Sequence, residues 1–405
     1  MWYAEDYLMA MSVWRDGLDE IGLEPILLPW RQQQSSQSKP TTRHDNDDNN
    51  NNNNNNSKET STASSHPSPP DTRFALLAPL YLFLAGCYLD AQEFDLAETL
   101  CRQGLNAILH QQHDNDDHKQ TVIRLVQELM SCWEENPAVT IHCQQARSLL
   151  QWLHDDYPTM VTTYWPDPWQ RPAFSYRGLP SQAVCPRSDH PAWCRALEDE
   201  FAWIQQECQT SCYDAWQDLP VVGSGTHRQG AGAHDGIVVN ATGDWREAVL
   251  FGAGESPAIA PRTRTWVKEH CPDAVSLARQ GGGEVIISVL APHTRIAPHC
   301  ASTNLRWTAH LGLRVPTTTT TAEARVQIRI ADSWYSWQEG RVLVFDDSYE
   351  HEVVNDSDEI RVVLLLRFWN PHLALAARRT AMPLALQWKE QEQERRFHPP
   401  TPPMS

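Results

Sequence analysis

From Leu305 to Val315 the chain alternates with a period of two. Leu305, Trp307, Ala309, Leu311 and Leu313 fall on one side, and Arg306, Thr308, His310, Gly312 and Arg314 on the other. A helix would scatter this pattern around its axis, whereas a strand separates it into two faces. The second face is expensive to bury in a small barrel unless it binds something. Arg306, Thr308 and His310 therefore look either into a wet pocket or out to solvent, and alternation alone leaves both positions open.

The rest of the C-terminal half has the same texture. Short strands are expected at 237–240, 248–251, 284–290, 305–315, 324–330, 342–345, 349–354 and 360–368, most of them separated by turn residues. Many short strands with regular turn signals indicate an antiparallel sandwich or barrel. The N-terminal half is different. Residues 1–31 read as a short helical piece. Residues 32–72, a Gln/Ser, Asn/Asp and Ser/Pro/Thr tract, cannot bury enough apolar surface to order and are expected to be a disordered insertion.

Helical periodicity governs 73–165, where Leu84, Ala85, Tyr88, Phe94, Ala97, Cys101 and Gly104 are spaced as in a tetratricopeptide repeat. Further helices are expected at 122–133 and 139–154. A Pro/Trp/Cys-rich connecting region (166–232) holds one helix at 192–208. A β domain follows at 233–372, then a tail (373–405) that is first helical and then disordered. The expected architecture is thus α+β and multidomain.

Composition removes several function classes. The net charge of −18 offers no chain-wide basic field for nucleic acid or an anionic membrane. Ten cysteines include no C-x-x-C pair, which removes zinc-ribbon and thioredoxin-like motifs. They read as reduced thiols, with Cys185/Cys194 and Cys208/Cys212 as the pairs an oxidising compartment could bridge. The 16 uncharged residues 74–89 are short for a membrane span, which needs about 20, and contain Pro79; a buried helix is expected there. No secretory signal is evident at the N-terminus, where Glu5, Asp6 and Arg15 interrupt the apolar residues. Asn240 and Asn355 each open a glycosylation triplet, a pattern common by chance.

The chemistry-bearing residues cluster late. Pro298-His299-Cys300-Ala301 lies upstream of the alternating strand, and Gly340–Trp369 carries His351 on one strand and Arg361 ten residues later on the next. Gly340, His351 and Asn355 also fit the G-x₁₀-H-x₃-N spacing of the second cupin motif, although Asp346 and Ser348 replace its proline and second glycine. Two distant histidines at strand ends, followed by an arginine, resemble the layout of non-haem iron oxygenases. Imidazole suits Fe(II), and a guanidinium fork suits a carboxylate. Residue 301 is alanine where a facial triad has a carboxylate. On the residues alone a water, a halide or a remote oxygen from Asp346 or Asp347 stay open as the third ligand.

The segments FDDSYEHEVVNDSDEIR, PHCASTNLRWTAHLGL and WQEG (337–340) resemble the aspartyl/asparaginyl β-hydroxylase family over about 243–372. The resemblance implies a double-stranded β-helix of jelly-roll or cupin type and a dioxygenase using Fe(II), 2-oxoglutarate and O₂. It places the metal on His299 and His351, and makes a non-acidic residue 301 normal. It places Arg361 and Ser288 on the distal carboxylate of 2-oxoglutarate and His310 near the proximal one. Animal members have an arginine where this chain has Thr308, and Arg306 is the expected substitute.

The implied reaction is β-hydroxylation of Asp or Asn in a protein or peptide, with release of succinate and CO₂. The same chemistry on a small molecule or lipid, and a silent binding module, are the alternatives. The helical half could hold a protein partner. The resemblance places such chains in the cytoplasm or the endoplasmic reticulum. A hydrogen-bond acceptor behind the metal site is expected to fix the free ring nitrogen of His351, with Glu350 or Glu352 as candidates if their strand face allows.

Overall fold

The computed structural model describes residues 73–109, 115–136, 138–213, 216–219, 221–223, 241–317 and 325–397. The segments 1–31 and 32–72, the expected strand at 237–240, Asn240 and the final residues all lie outside that set. The chain divides into two compact units, 1–136 and 137–405.

Among the described residues the first unit contains three helices, α1 (Arg73–Asp90), α2 (Phe94–Leu109) and α3 (Asp116–Glu135). Gly104 explains their close approach: a Cβ there would lie 2.8 Å from Leu125 Cδ2 and 3.0 Å from Tyr81 Cβ. Asn115 caps α3 by accepting a hydrogen bond from the His118 amide at 2.8 Å. Ala78, Tyr81, Leu84, Ala85 and Leu89 of α1 are buried, as expected of a core helix. No helix among the described residues is long and apolar enough to cross a membrane.

The second unit opens with α4 (His142–Asp156) and α5 (Pro158–Val161), followed by α6 (Ala192–Asp199) and α7 (Phe201–Cys208). The single helix expected at 192–208 is therefore two. Glu200 sits at φ −92°, ψ 4°, off the helical region, and its carboxylate accepts a hydrogen bond from the Trp203 indole, so it ends one helix and starts the next. The stretch expected to be a connector does more than connect. Gln170, Phe174 and Val184 form isolated β-bridges to Tyr349, Thr303 and Phe345. Cys185 and Cys194 are separate buried thiols.

Eleven strands follow among the described residues: β1 (Val221–Gly223), β2 (Ala241–Thr242), β3 (Trp245–Phe251), β4 (Val285–Leu290), β5 (Thr294–His299), β6 (Arg306–Arg314), β7 (Val326–Ile330), β8 (Ser333–Ser336), β9 (Val342–Phe345), β10 (His351–Asn355) and β11 (Arg361–Trp369). Helices α8 (Pro261–His270) and α9 (Pro272–Arg279) lie between β3 and β4, and α10 (Leu375–Phe397) ends the fold. The strands form a six-stranded sheet ordered β1-β3-β4-β11-β6-β9 and a five-stranded sheet ordered β2-β5-β10-β7-β8. Every strand pairing is antiparallel.

Two apolar layers define which way each residue points. Leu197, Ile204, Val267 and Ala274 from the helices pack on Trp307, Ala309, Leu311 and Leu313 of β6 and on Val362, Leu364, Leu366 and Phe368 of β11. A second cluster joins Trp245, Val249, Ile286, Leu290, Val363 and Leu365 of the larger sheet to Ile296, Ile328, Ile330 and Val353 of the smaller one. The apolar face of the alternating strand therefore packs under helices. Its polar face, Arg306, Thr308 and His310, is turned inward between the sheets, with 1%, 2% and 5% exposure respectively. The solvent alternative for these three residues is excluded.

Candidate active site between the two sheets

His351 opens β10 and pairs in register with His299, the last residue of β5. Pairing places their ring centroids 4.1 Å apart. In each ring Nδ1 faces a carbonyl oxygen at 2.8 Å, that of Ala297 for His299 and of Tyr349 for His351. A carbonyl can only accept, so both protons sit on Nδ1 and both Nε2 atoms keep a lone pair. Burial, and for His299 also the neighbouring His351, lowers the pKa of both rings, which keeps them neutral. Two neutral imidazoles presenting Nε2 lone pairs suit a borderline metal ion.

The acceptor that fixes His351 is thus a backbone carbonyl and neither neighbouring glutamate. Period two sends Glu350 and Glu352 to the other side of the strand. There Glu350, fully buried, accepts from Arg171 at 2.5 Å and Arg329 at 2.7 Å and pairs with Arg147 at 3.2 Å, while Glu352 binds Arg329. Among the described residues no group of three or more His, Cys, Asp or Glu side chains is arranged to hold a metal ion. The two imidazoles would have to share one with water or a chelating small molecule.

Next to the histidines lies a pocket of hydrogen-bond donors. Trp337 Nε1 donates to His310 Nδ1 at 3.2 Å, so the His310 proton is on Nε2, and this buried N–H has no partner. Arg361, 2% exposed, rests on the Trp337 ring with its guanidinium carbon 4.8 Å from the centroid; its Nε and Nη1 are buried without a hydrogen-bond partner. Burial lowers the Arg361 pKa to about 9, a sign that a counter-anion is missing. Trp245 Nε1 donates to Ser288 Oγ at 3.0 Å, leaving the hydroxyl proton free to donate elsewhere. Buried orphan donors of this kind are costly without a ligand, and an anion with several acceptor oxygens would satisfy them together. The ring contacts continue from Trp337 through His310 and Phe345 to His351.

Trp337 owes its place to Gly312: a Cβ on Gly312 would meet the Gln338 carbonyl oxygen at 2.5 Å and push the loop off β6. The WQEG segment carries Trp337, but nothing in the sequence shows that its ring would serve both His310 and Arg361.

Arg306 and Thr308 belong to a different cluster. Arg306 Nε donates to Asp347 Oδ2 at 3.0 Å and its Nη1 to the Gly282 carbonyl at 2.8 Å. Thr308 Oγ1 donates to the same Asp347 oxygen at 2.9 Å. The expected substitute for the missing arginine is therefore tied to Asp347, at the opposite end of the strand segment from His310. Arg367, missed in sequence reasoning because it interrupts an apolar run only once, faces the same Asp347 at 3.4 Å and pairs with Glu284. Asp346 accepts from the Ser348 amide and hydroxyl at 2.9 Å and 2.5 Å and from Gln170 at 3.1 Å. Both aspartates of the turn thus have structural partners. Asn355 is fully buried and donates to the Leu290, Ala291 and Glu359 carbonyls, which removes the second glycosylation triplet.

The chain is similar to several known proteins. The chain is 34% identical over 142 residues to human aspartyl/asparaginyl beta-hydroxylase, a match covering 34% of this chain and 17% of that protein. It is 34% identical over 226 residues to Xenopus tropicalis aspartate beta-hydroxylase domain-containing protein 2, covering 52% of this chain and 53% of the relative. It is 34% identical over 129 residues to the Rhizobium tropici ornithine lipid ester-linked acyl 2-hydroxylase, covering 31% and 42%. The chain thus spans only about a sixth to a half of these relatives' own lengths. The family match covers residues 181–371, which includes every side chain of the pocket just described. Residues 181–371 match the family model described as aspartyl/asparaginyl beta-hydroxylase, so this is the family that the β domain is similar to.

Proposed function

We propose that the chain is an Fe(II)- and 2-oxoglutarate-dependent dioxygenase that hydroxylates the β-carbon of Asp or Asn in a protein or peptide. One observation carries this reading. Two neutral histidines with free Nε2 lone pairs adjoin a buried pocket in which Arg361 Nε, Arg361 Nη1 and His310 Nε2 are donors without a partner. That is the complement of a metal and a dicarboxylate side by side. On this reading the two facing sheets form a double-stranded β-helix, with the oxygenase domain at 233–372. The helices of the first unit form a tetratricopeptide-like surface for a protein partner.

His299 and His351 would hold Fe(II). When bound, iron and 2-oxoglutarate supply the oxidative chemistry that consumes O₂ and converts a C–H bond to C–OH, with succinate and CO₂ as the other products. Arg361 and the Ser288 hydroxyl would grip the distal carboxylate, and His310 Nε2–H would donate to the proximal one. Trp337 orients both Arg361 and His310, and with Phe345 walls the site from water. Arg306 and Arg367 are held by Asp347, and Arg367 also by Glu284; on this reading Arg367 would in addition contact an acidic substrate group. A lipid acyl chain is the second reading, favoured by the identity to the Rhizobium tropici enzyme.

Anaerobic addition of Fe(II) and 2-oxoglutarate to the purified chain should produce a visible charge-transfer band. His299→Ala and His351→Ala should each abolish it. A chain that binds neither component overturns the proposal. Succinate release on Asp-containing peptides against acyl lipids separates the two substrates.

A further inference from the structure

Glu247 is a buried ionisable side chain of the pocket that the proposed chemistry leaves without a task. It lies on β3 between Trp245 and Val249, both in the inter-sheet core, so period two turns its carboxyl inward. It is 3% exposed and stands directly across from Ser288 on β4. Two guanidinium groups and one carboxylate face it: Arg361 and Arg367 on β11, and Glu284 leading into β4. Glu284 is committed to Arg367. Glu247 and Arg361 attract one another across the pocket, yet no ion pair or hydrogen bond joins them, and Arg361 Nε and Nη1 remain without a partner. Two buried, oppositely charged groups held apart in this way leave room for a third.

The nearby polar atoms that have a proton left to give are donors: Arg361 Nε and Nη1, His310 Nε2 and the Ser288 hydroxyl. With Glu284 committed to Arg367, an ionised Glu247 would be an uncommitted acceptor among them, and it would repel the carboxylate that those donors are arranged to receive. Protonation removes the conflict, because a neutral carboxyl group is itself a donor. Building on the proposed function, we infer that Glu247 acts as a neutral carboxylic acid that donates a hydrogen bond to the same 2-oxoglutarate carboxylate that Arg361 grips, so that co-substrate binding requires its proton. The proton stays on Glu247 throughout; no bond is made or broken. Burial, opposed by Arg367 and Arg361 and reinforced by Glu284, raises the Glu247 pKa to about 8, consistent with a neutral group at neutral pH.

The test is calorimetric titration of 2-oxoglutarate into the full chain loaded with Mn(II), which occupies the histidine pair without turnover. Wild type is expected to bind about tenfold more weakly at pH 9 than at pH 7, as follows from a required proton with a pKa near 8. Glu247→Gln keeps a donor that cannot ionise, so it should match wild type within about threefold at pH 7 and lose less than threefold by pH 9. Wild-type titrations at pH 8 in buffers of different ionisation enthalpy should show net proton uptake, a measurement that needs no variant. Glutarate, which lacks the keto oxygen, should show the same pH slope at lower affinity.

Three results overturn the inference while leaving the enzyme reading intact. The first is Glu247→Gln binding tenfold tighter at pH 7, which makes the glutamate an anionic competitor. The second is a slope retained in Glu247→Gln, which assigns it to another group such as Arg361. The third is a flat wild-type profile without proton uptake. Absence of any 2-oxoglutarate binding to wild type at either pH overturns the enzyme reading and this inference with it.

Discussion

Arg367 on β11 lies directly across from Thr308 on β6, and both reach the carboxylate of Asp347, Thr308 through its hydroxyl at 2.9 Å and Arg367 at 3.4 Å. Opposed residues of an antiparallel pair share one face of the sheet. The neighbouring strand thus brings the Arg367 guanidinium beside Thr308. Arg367→Ala should lower kcat/KM on an acidic peptide by tenfold or more, through KM, with a smaller effect on the KM for 2-oxoglutarate. Arg361→Ala should do the reverse, and Arg306→Ala should affect 2-oxoglutarate far less than Arg361→Ala. Steady-state kinetics of the three variants check the assignment, and equal effects on both substrates would refute it.

How much of this was readable beforehand differs from residue to residue. Alternation from Leu305 to Val315 identified β6, but two readings of its polar face remained because both put the same side chains on one side. Only packing decides between them: Leu197 and Ile204 cover the apolar face, so the polar face is left for the pocket. The histidine pair was legible from its motifs, and its closeness follows from the register of β5 and β10. Glu247 was hidden because the apolar run Ala248–Phe251 masks the alternation that begins at Trp245. Arg367 was hidden because a lone charge in an apolar strand reads as an edge position, whereas here Asp347 and Glu284 pay for its burial. Trp337 needs the tertiary contact across Gly312, which no local pattern carries.

The histidine pair makes a metal-binding prediction that is independent of turnover. Each Nε2 contributes one lone pair, and no third protein ligand joins them among the described residues, so losing one imidazole should lower Mn(II) or Fe(II) affinity by a hundredfold or more. Calorimetry on His299→Ala and His351→Ala checks this. Glu350→Ala tests the support behind β10: it strips the shared anion from Arg147, Arg171 and Arg329. It should destabilise the fold while leaving the stoichiometry of metal binding at one per chain.

Asp347 separates a scaffold role from a ligand role. Its carboxylate is buried, held below the usual carboxylate range against its burial by Arg306 and Arg367, and accepts from Thr308. Removing it leaves Arg306, 1% exposed, without its carboxylate. Breaking a buried pair from one side typically costs about 3–5 kcal/mol. Asp347→Ala should therefore shift the urea midpoint strongly downward, and Asp347→Asn less, since the amide oxygen still accepts. A variant with normal stability and lost metal binding would instead make Asp347 a ligand.

Glu247 also predicts how stability depends on pH. Its folded pKa, about 8, lies above the ordinary value of 4.5. Between those values the folded chain holds a proton that the unfolded chain has released, so this residue makes stability fall as pH rises through that window and level off above it. Asp346, raised by burial to about 7, acts in the same direction, so wild type must be compared with a variant and not read alone. Glu247→Gln removes only the first contribution. In urea denaturation wild type and Glu247→Gln should be nearly equally stable at pH 5. At pH 9 the variant should be the more stable by about 1 kcal/mol or more, one pKa unit being worth about 1.4 kcal/mol. A difference that is constant across this range would mean that Glu247 is ionised in the fold at all these pH values, with Arg361 as its counter-ion.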